Sequence, residues 1–398
     1  MVSYFARLVA LAAVIPAVFA APAPAAHHLK IRNPEASDVV PDSYIVIYNH
    51  DVNATMIASH VASVSSMLSR RDLTGIGATF DMDMLKGYQV TADTRAIAEI
   101  AASPEVAYIE KDAKVYASDL TSQTGATYGL GRISHRNQDS TTYIYDSSAG
   151  SGITVYVVDT GIYTQHSQFG GRATFGANYI SGSPNTDENG HGTHCSGTIA
   201  GSTYGVAKNA KLVAVKVLDK SGSGSTSGVI SGIQWVGNNA AARSVLSMSL
   251  GGSFSSSVNS AVRSTVNKGV TVVVAAGNDD DDASNYSPAS ESTAITVGAI
   301  DADDNRASFS NYGSLVDVFG PGVNILSSWI GSTTATNTIS GTSMATPHIA
   351  GLAAYLIALE DIASPAAVQS RIKALATSGK VVDAESANNL IGYNGNGA

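Results

Sequence analysis

From about residue 151 onward, short apolar runs alternate with helical patterns and glycine-rich turns. The apolar runs are continuous and β-branched, as in strands covered on both faces, and they span 153–158, 212–217, 245–248, 270–275 and 294–297. Helical spacing lies between and after them, at 191–200, 225–238, 256–268, 343–359 and 365–376. This alternation predicts an α/β fold with a parallel sheet, helices on both faces and a site at the carboxyl ends of the strands.

A smaller unit precedes this region, between about residues 42 and 116. Strand-like segments at 43–48, 85–90 and 106–110 alternate with helical spacing at 56–68 and 94–102. The pattern predicts a small α+β domain. Because fewer than about 80 residues without a disulfide make a marginal domain, we expect it to need a partner surface.

The first 20 residues have the pattern of a secretory signal peptide. Arg7 precedes an apolar run from Leu8 to Phe19, and small residues follow at Ala20 and Ala21. About 12 apolar residues are too few for a membrane-spanning helix, which needs about 20. No later segment looks long and apolar enough to span a bilayer, so the sequence predicts a secreted product.

Composition excludes several classes of protein and of partner. With 44% apolar and 14% charged residues among 398, the chain is neither disordered nor collagen-like nor a coiled coil. A net charge of −9 provides no basic field for nucleic acid or an anionic membrane, and we expect neither as a partner of this monomer. The lone cysteine, Cys195, excludes an intramolecular disulfide.

Three polar residues stand at element ends, where this architecture places its site. Asp159 directly follows the apolar run 153–158, while His191 and Ser343 each begin a predicted helix. A hydroxyl nucleophile, a base of near-neutral pKa and a carboxylate that orients the base are what acyl transfer needs, and this chain order is a known one. Asn278 follows another buried run, and its amide, with the Ser343 N–H, offers donors for an oxyanion.

Each of these residues also has a structural explanation when it is taken alone. Ser343 is an acceptable helix cap, Asp159 a turn former and His191 a surface cap. The spacing of His191, His194 and Cys195 is also compatible with a metal site, although no further ligand cluster is visible. An alternative function is an inactive binding protein or inhibitor on the same fold.

Several sequence segments resemble those of a known family. VVDTG at 157–161, NGHGTHC at 189–195 and GTSMATPH at 341–348 resemble the signature segments of subtilisin-like serine endopeptidases. SLGG at 249–252, AAGN at 275–278 and YSPAS at 286–290 are similar to the proteinase K branch, nearest to the secreted, oryzin-like alkaline proteases of filamentous fungi. The resemblance covers nearly all of 121–396, and the unit in front resembles the family's inhibitory propeptide.

The resemblance implies a secreted serine endopeptidase that is made as a self-processing zymogen. It implies a signal peptide at 1–20, an inhibitory propeptide of ferredoxin-like fold at 21–118, folded at about 42–116, and a subtilisin-like peptidase domain at 119–398. Asp159, His191 and Ser343 would form the catalytic triad, with Asn278 in the oxyanion hole. Protein and peptide substrates and the chain's own propeptide are the partners expected, and the chemistry needs no cofactor.

The resemblance also assigns residues that bind substrate. Two segments would edge the S1 pocket, which holds the P1 side chain: Leu250, Gly251 and Gly252, and Ala275, Ala276 and Gly277. Gly222, Ser223 and Gly224 would pair with extended substrate as an added strand. The edges are small and apolar, and no acid stands at a predicted pocket position. We therefore expect broad specificity for aromatic and aliphatic P1 residues.

Calcium and glycans are further expectations. The family's usual calcium site matches Asp317 with the backbone carbonyls of Ser292 and Ala294, but one carboxylate with carbonyls is too common a pattern to prove a site. The acidic run 279–282 is typical of a solvated loop. Asn53 and Asn285 stand in glycosylation sequons, and the position of Asn285 near Pro288 and the site argues against its use.

Overall fold

The structure is a computed structural model of two compact units, formed by residues 1–117 and 118–398. It describes residues 31–33, 39–71, 73, 75–113 and 120–398. The predicted signal peptide and the predicted cleavage position after Ser118 lie outside these residues, so both stay predictions.

The first unit has the order βαββαβ. Its elements are β1 (Val39–Tyr48), α1 (Ala54–Ser69), β2 (Gly75–Met82), β3 (Leu85–Thr91), α2 (Thr94–Ala101) and β4 (Val106–Ala113). The sheet is antiparallel in the order β2, β3, β1, β4, which is the ferredoxin-like arrangement. Asn53 and Asp93 cap the two helices by accepting backbone N–H groups with their side chains. The predicted α+β fold is confirmed.

One strand of this unit, β2, was not predicted from the sequence. It is an edge strand whose side chains are half-buried or exposed, and Gly75 and Gly77 interrupt its apolar positions. An edge strand of this kind lacks the continuous apolar pattern on which the prediction relied. The buried residues Val46, Val90 and Ile109 lie on the three other strands and form the core against the helices.

The second unit alternates strands with helices along most of its length. Its elements are β5 (Leu120–Thr124), α3 (Tyr128–Ser134), β6 (Thr142–Asp146), β7 (Thr154–Asp159), β8 (Ala173–Asn178), α4 (His191–Ala200), β9 (Lys211–Lys216), α5 (Thr226–Asn239), β10 (Val245–Met248), β11 (Gly252–Ser253), α6 (Ser256–Val266), β12 (Thr271–Ala275), β13 (Tyr286–Ser287), β14 (Ile295–Ile300), β15 (Val318–Pro321), β16 (Ile325–Ser328), β17 (Thr336–Ile339), α7 (Thr342–Glu360), α8 (Pro365–Leu375), β18 (Thr377–Ser378) and β19 (Leu390–Ile391). Every strand and helix predicted for this region is present, with ends shifted by a few residues.

The main sheet of this unit has nine strands in the described residues. Their order is β18, β19, β15, β14, β12, β10, β7, β9, β8, and every pair is parallel except β18 with β19. Carboxyl ends of neighbouring parallel strands therefore meet along one edge, as predicted.

Helices cover both faces of the sheet. Along β7, Val155 and Val157 belong to the core that α4 and α7 complete, while Tyr156 and Val158 belong to the core under α5 and α6. Successive side chains of a strand point to opposite faces, so a continuous apolar run fits a strand that is covered twice. The predicted α/β architecture is confirmed.

The central helix α7 corrects one expectation from the sequence. Among the described residues it is long and apolar enough to cross a membrane by length and composition. The expectation that no later segment would meet that test is wrong. Most residues of α7 are buried in the core, which explains why the helix is apolar all round.

Candidate active site

Side chains from neighbouring parallel strands meet at the carboxyl edge of the sheet. Asp159 is the last residue of β7, Ser249 follows β10, and Asn278 lies beyond the end of β12. These strands lie in the order β12, β10, β7. The structure therefore brings together residues that are more than a hundred positions apart.

Asp159 and His191 form a tight pair. The carboxylate of Asp159 is fully buried, and its two oxygens lie 2.8 and 3.0 Å from Nδ1 of His191. The backbone N–H of Thr160 donates to the same carboxylate at 2.7 Å. Because a carboxylate only accepts, Nδ1 carries the proton and Nε2 is left to act as the base.

The charge of this pair changes the basicity of the ring. Burial disfavours the protonated imidazole, but the charge and hydrogen bond of Asp159, together with Cys195, outweigh burial and hold the pKa of His191 well above its ordinary value of 6.5. Cys195 lies below the ring, with Sγ 4.0 Å from Nδ1. Burial raises the pKa of the Cys195 thiol, so the sulfur stays neutral beside the pair.

Asp187 joins the end of β7 to the start of α4. Its carboxylate accepts the hydroxyl of Thr160 at 2.8 Å, the N–H of Gly190 at 2.9 Å and the N–H of Thr193 at 2.9 Å. Gly192 in turn donates its N–H to the hydroxyl of Thr160 at 2.9 Å. A buried carboxylate at a helix start satisfies otherwise unpaired N–H groups, and here it fixes the helix that carries the base. Asp187 was not predicted from the sequence: Gly190 and Thr193 are close to it in the chain, but its contact with Thr160 joins a distant segment.

Ser343 lies in the first turn of α7 and is held through its carbonyl. A normal helix would use that carbonyl to accept the N–H of residue 347, but Pro347 has none. The freed carbonyl accepts the hydroxyl of Ser249 at 2.8 Å and the thiol of Cys195 at 3.4 Å. The proline therefore makes room for two contacts that fix the nucleophile's backbone.

The hydroxyl of Ser343 donates to the carbonyl of Ser249 at 3.2 Å. No hydrogen bond joins Ser343 to His191 among the described residues. The hydroxyl must therefore rotate from Ser249 to His191 before its proton can be taken. Such bonds are commonly long or absent in enzymes without substrate.

Asn278 has a fixed orientation. Its Oδ1 accepts the backbone N–H of Thr342 at 2.8 Å and the hydroxyl of Thr342 at 2.9 Å. Since a backbone N–H cannot accept, this contact assigns the oxygen to the Thr342 side and leaves Nδ2 on the other. Among the described residues Nδ2 has no partner. Thr342, which the sequence analysis did not single out, therefore positions the amide.

A groove of about 940 Å³ runs past His191, between two strips of backbone. One strip contains the predicted segment Gly222, Ser223 and Gly224, which is exposed, and the other contains Leu250, Gly251 and Gly252. Asp219 shapes the first strip by accepting the hydroxyl of Ser221 at 2.6 Å and the N–H of Ser223 at 3.0 Å. These bonds lower the pKa of Asp219.

A second cavity of about 400 Å³ adjoins Ser343. The residues predicted to edge the S1 pocket line it: Leu250, Gly251, Gly252, Ala275, Ala276 and Gly277. Asp279 also lines it, which corrects the expectation that no acid stands at a pocket position. Gly277 has a φ of +110°, and an Asp279 oxygen comes within 3.6 Å of where a Cβ on Gly277 would lie. The turn after β12 brings this carboxylate back to the cavity.

The alternative metal site does not form as the sequence spacing suggests. His194 is buried, its Nε2 lies 2.9 Å from the carbonyl of Ile325, and burial lowers its pKa to about 4. The residues whose ligand atoms do cluster are Asp159, His191 and Cys195. In that cluster Nδ1 already donates to Asp159 and the thiol is protonated, so the donor set does not suit a metal.

Two of the three residues that the resemblance assigns to calcium, Asp317 and Ala294, have protein partners. Asp317 Oδ1 lies 2.5 Å from the ammonium of Lys373, and Oδ2 accepts the N–H of Thr296 at 2.9 Å. The carbonyl of Ala294 accepts the amide of Gln369 at 3.3 Å. Calcium needs six to eight oxygen ligands, and an ammonium group supplies none. This donor set does not fit the ion.

Comparison with known proteins matches both units. The profile of the subtilase family matches residues 150–393, and that of peptidase inhibitor I9 matches residues 43–118. Subtilisin-like protease 2 of Pseudogymnoascus destructans is 63% identical over 394 residues, with 98% of each chain covered. The cuticle-degrading protease of Metarhizium anisopliae is 48% identical, with 98% of this chain and 100% of the relative covered. The crystal structure of a cold adapted subtilisin-like serine proteinase aligns with a TM-score of 0.66 at 45% identity, covering 68% of this chain and 99% of that chain.

Proposed function

The chain belongs to the subtilase family, and from this premise we propose how its residues share the steps of peptide hydrolysis. The protein is a serine endopeptidase, made as a zymogen with an I9 inhibitory unit in front of the peptidase unit. None of these matches favours the inactive binding protein that the sequence left open as an alternative.

In the proposed mechanism Ser343 is the nucleophile and His191 the base. The Ser343 hydroxyl leaves Ser249, gives its proton to Nε2 of His191 and attacks the substrate carbonyl. Asp159 stabilises the charged imidazole that results. The ring then protonates the leaving amine, and a water molecule, activated in the same way, releases the acyl group. The pair formed by buried Asp159 and half-buried His191 beside the groove is the observation that carries this proposal.

The oxyanion is stabilised by two donors. The N–H of Ser343 lies in the first turn of α7, where helix N–H groups are unpaired and the helix end is partly positive. The amide of Asn278 supplies the second donor, held in place by Thr342. Both donors are fixed before substrate binds, which is what makes such groups effective. No cofactor is needed for these steps.

Substrate binds as an extended strand with its P1 side chain in the cavity beside Ser343. The exposed backbone of Gly222, Ser223 and Gly224 pairs with the substrate, as a peptide adds to a strand edge. Small apolar walls admit aromatic and aliphatic P1 residues. Asp279 at the edge of the cavity extends this range toward basic P1 residues. The propeptide is the inhibitor of this peptidase unit.

Export and glycosylation complete the proposal. Residues 1–20 direct secretion, cleavage follows Ser118, and the released enzyme acts outside the cell as a monomer without membrane or nucleic-acid partners. Asn53 is exposed in the propeptide unit and is the better glycan acceptor, whereas the Asn285 amide donates to Asp281 at 3.2 Å. Sequencing the N-terminus of protein from the medium tests the processing: Asp119 is expected first, and a start elsewhere contradicts it.

Labelling with phenylmethylsulfonyl fluoride tests the mechanism. The secreted, processed enzyme is incubated with the reagent, digested and analysed by mass spectrometry. The peptide that contains Ser343 should gain one sulfonyl group, while the peptide with Ser249 should not. The His191→Ala variant is the control and should stay an uncut, unlabelled precursor, because without its base Ser343 neither cleaves the chain nor attacks the reagent. Labelling of neither serine in the native enzyme would favour an inactive protein.

A further inference from the structure

A lysine stands where the family resemblance implies a calcium ion. Lys373 lies on α8, and its ammonium is 2.5 Å from Oδ1 of Asp317, the one carboxylate of the implied site. We propose that this ammonium replaces the divalent cation at Asp317, so that the peptidase unit is stabilised at this position without calcium.

Two further donor atoms of the implied site, the carbonyl of Ala294 and the second oxygen of Asp317, are used as well. Gln369 precedes Lys373 by one helical turn, and its amide donates to the carbonyl of Ala294 at 3.3 Å. The N–H of Thr296 occupies the second oxygen of Asp317 at 2.9 Å. Side chains four residues apart lie on the same face of a helix. One face of α8 therefore engages both the carboxylate and the carbonyl.

The arrangement ties α8 to the amino ends of two sheet strands. Ala294 directly precedes β14 and Asp317 directly precedes β15, which are parallel neighbours. A bound cation would join the same two strand starts through its ligands. Lys373 and Gln369 make this connection with atoms of the chain itself, and Val368 and Ile372 of the same helix are buried in the core.

Charge also disfavours a divalent ion here. The Asp317 side chain is only 12% exposed, and its single negative charge is balanced by the single positive charge of Lys373. A calcium ion bound to the same carboxylate would lie next to the ammonium of Lys373. The two positive charges would repel each other strongly, because the site is largely shielded from water. Binding calcium would require Lys373 to leave the carboxylate.

Thermal unfolding of three variants tests the proposal. The processed enzyme is first inactivated at Ser343 with phenylmethylsulfonyl fluoride, so that self-digestion does not obscure unfolding, and Tm is measured in chelator and in millimolar calcium. The variants are Lys373→Met, Asp317→Asn and the control Arg371→Met. Arg371 lies on α8 like Lys373 and pairs at 2.7 Å with Glu360 at the end of α7, so the control removes a charge of equal sign from a more exposed pair.

Two results are expected. In chelator, Lys373→Met should lower Tm by at least about 3 °C more than Arg371→Met, because it leaves a mostly buried carboxylate without its counter-charge. The change in Tm on adding calcium should be the same in the native enzyme and in Asp317→Asn, since the ion does not use that carboxylate. A calcium response that disappears in Asp317→Asn overturns the proposal. So does a Lys373→Met variant no less stable than the control.

Discussion

Replacing Thr342 by valine tests how much the positioning of the Asn278 amide contributes to catalysis, because the amide itself is left in place. Valine matches threonine in shape but lacks the hydroxyl that donates to Oδ1 of Asn278 at 2.9 Å. The backbone N–H of residue 342, which holds the same oxygen at 2.8 Å, is unaffected. Asn278 thus keeps one of two contacts, and its amide gains freedom to turn away from the oxyanion.

The expected loss follows mainly from the bond to Asn278, because the other contact of the hydroxyl, which accepts the N–H of Gly277 at 3.3 Å, is longer. A neutral hydrogen bond contributes about 0.5–1.5 kcal/mol net. If that energy is fully expressed in transition-state binding, kcat/KM falls by about 2- to 13-fold. Removing the amide by Asn278→Leu should cost more, about 10² to 10³ in kcat, a figure taken from a subtilisin, a member of the same family. Thr342→Ser keeps the hydroxyl and should restore most of the activity.

The assay is a double-mutant cycle on a chromogenic peptide substrate. The kcat/KM of Thr342→Val is measured in the native background and in the Asn278→Leu background. We expect the valine to slow the enzyme only where Asn278 is present, since there is otherwise nothing to position. An equal loss in both backgrounds would refute the argument, because Thr342 would then act by another route. Equal Tm values for the variants exclude a general loss of structure.

Three further outcomes are expected. Ser343→Ala should leave the precursor uncut in a host without other proteases, because maturation uses the chain's own serine; a processed variant would show that another enzyme makes the cut. Only neutral His191 accepts a proton, and its pKa is raised, so kcat/KM should be lost as pH falls through a midpoint above 6.5; a midpoint at or below 6.5 contradicts the geometry. Asp279→Asn should slow cleavage after lysine relative to phenylalanine by up to about fivefold, as expected for an exposed charge pair, and an unchanged ratio of the two rates would remove Asp279 from the pocket's specificity.

The fold was predictable from the sequence where burial is complete. Strands such as β10 and β12 are buried on both faces, so their apolar runs are continuous and their bounds emerged within a residue. The edge strand β2 was missed because an exposed strand with glycines has no such pattern. The pattern of apolar residues indicates which segments are buried. It therefore does not predict an element such as β2, which is held mainly by backbone pairing.

The site divides in a similar way. Asp159, His191, Ser343 and Asn278 were predicted from chain order and resemblance, and the structure brings these residues to one edge of the sheet. Asp187 was missed because its local contact with Thr193 is that of an ordinary helix start, and only its contact with Thr160 shows that it links β7 to α4. Asp279 was misjudged for the same reason: only the path of the turn after β12 shows that an acid follows the pocket wall.

In the segment around the nucleophile, two residues besides Ser343 contribute to the site. Thr342 comes one position before Ser343 and fixes Asn278 with both its N–H and its hydroxyl. Pro347 comes four positions after Ser343 and cannot take its carbonyl, so Ser249 and Cys195 hold that carbonyl from two other elements. Each of these residues gives up a favourable helical interaction or propensity in order to fix a reacting group. A helix start that serves only as structure has no need of either residue, so their combination within the six residues from Thr342 to Pro347 is a sign of chemistry that the sequence itself shows.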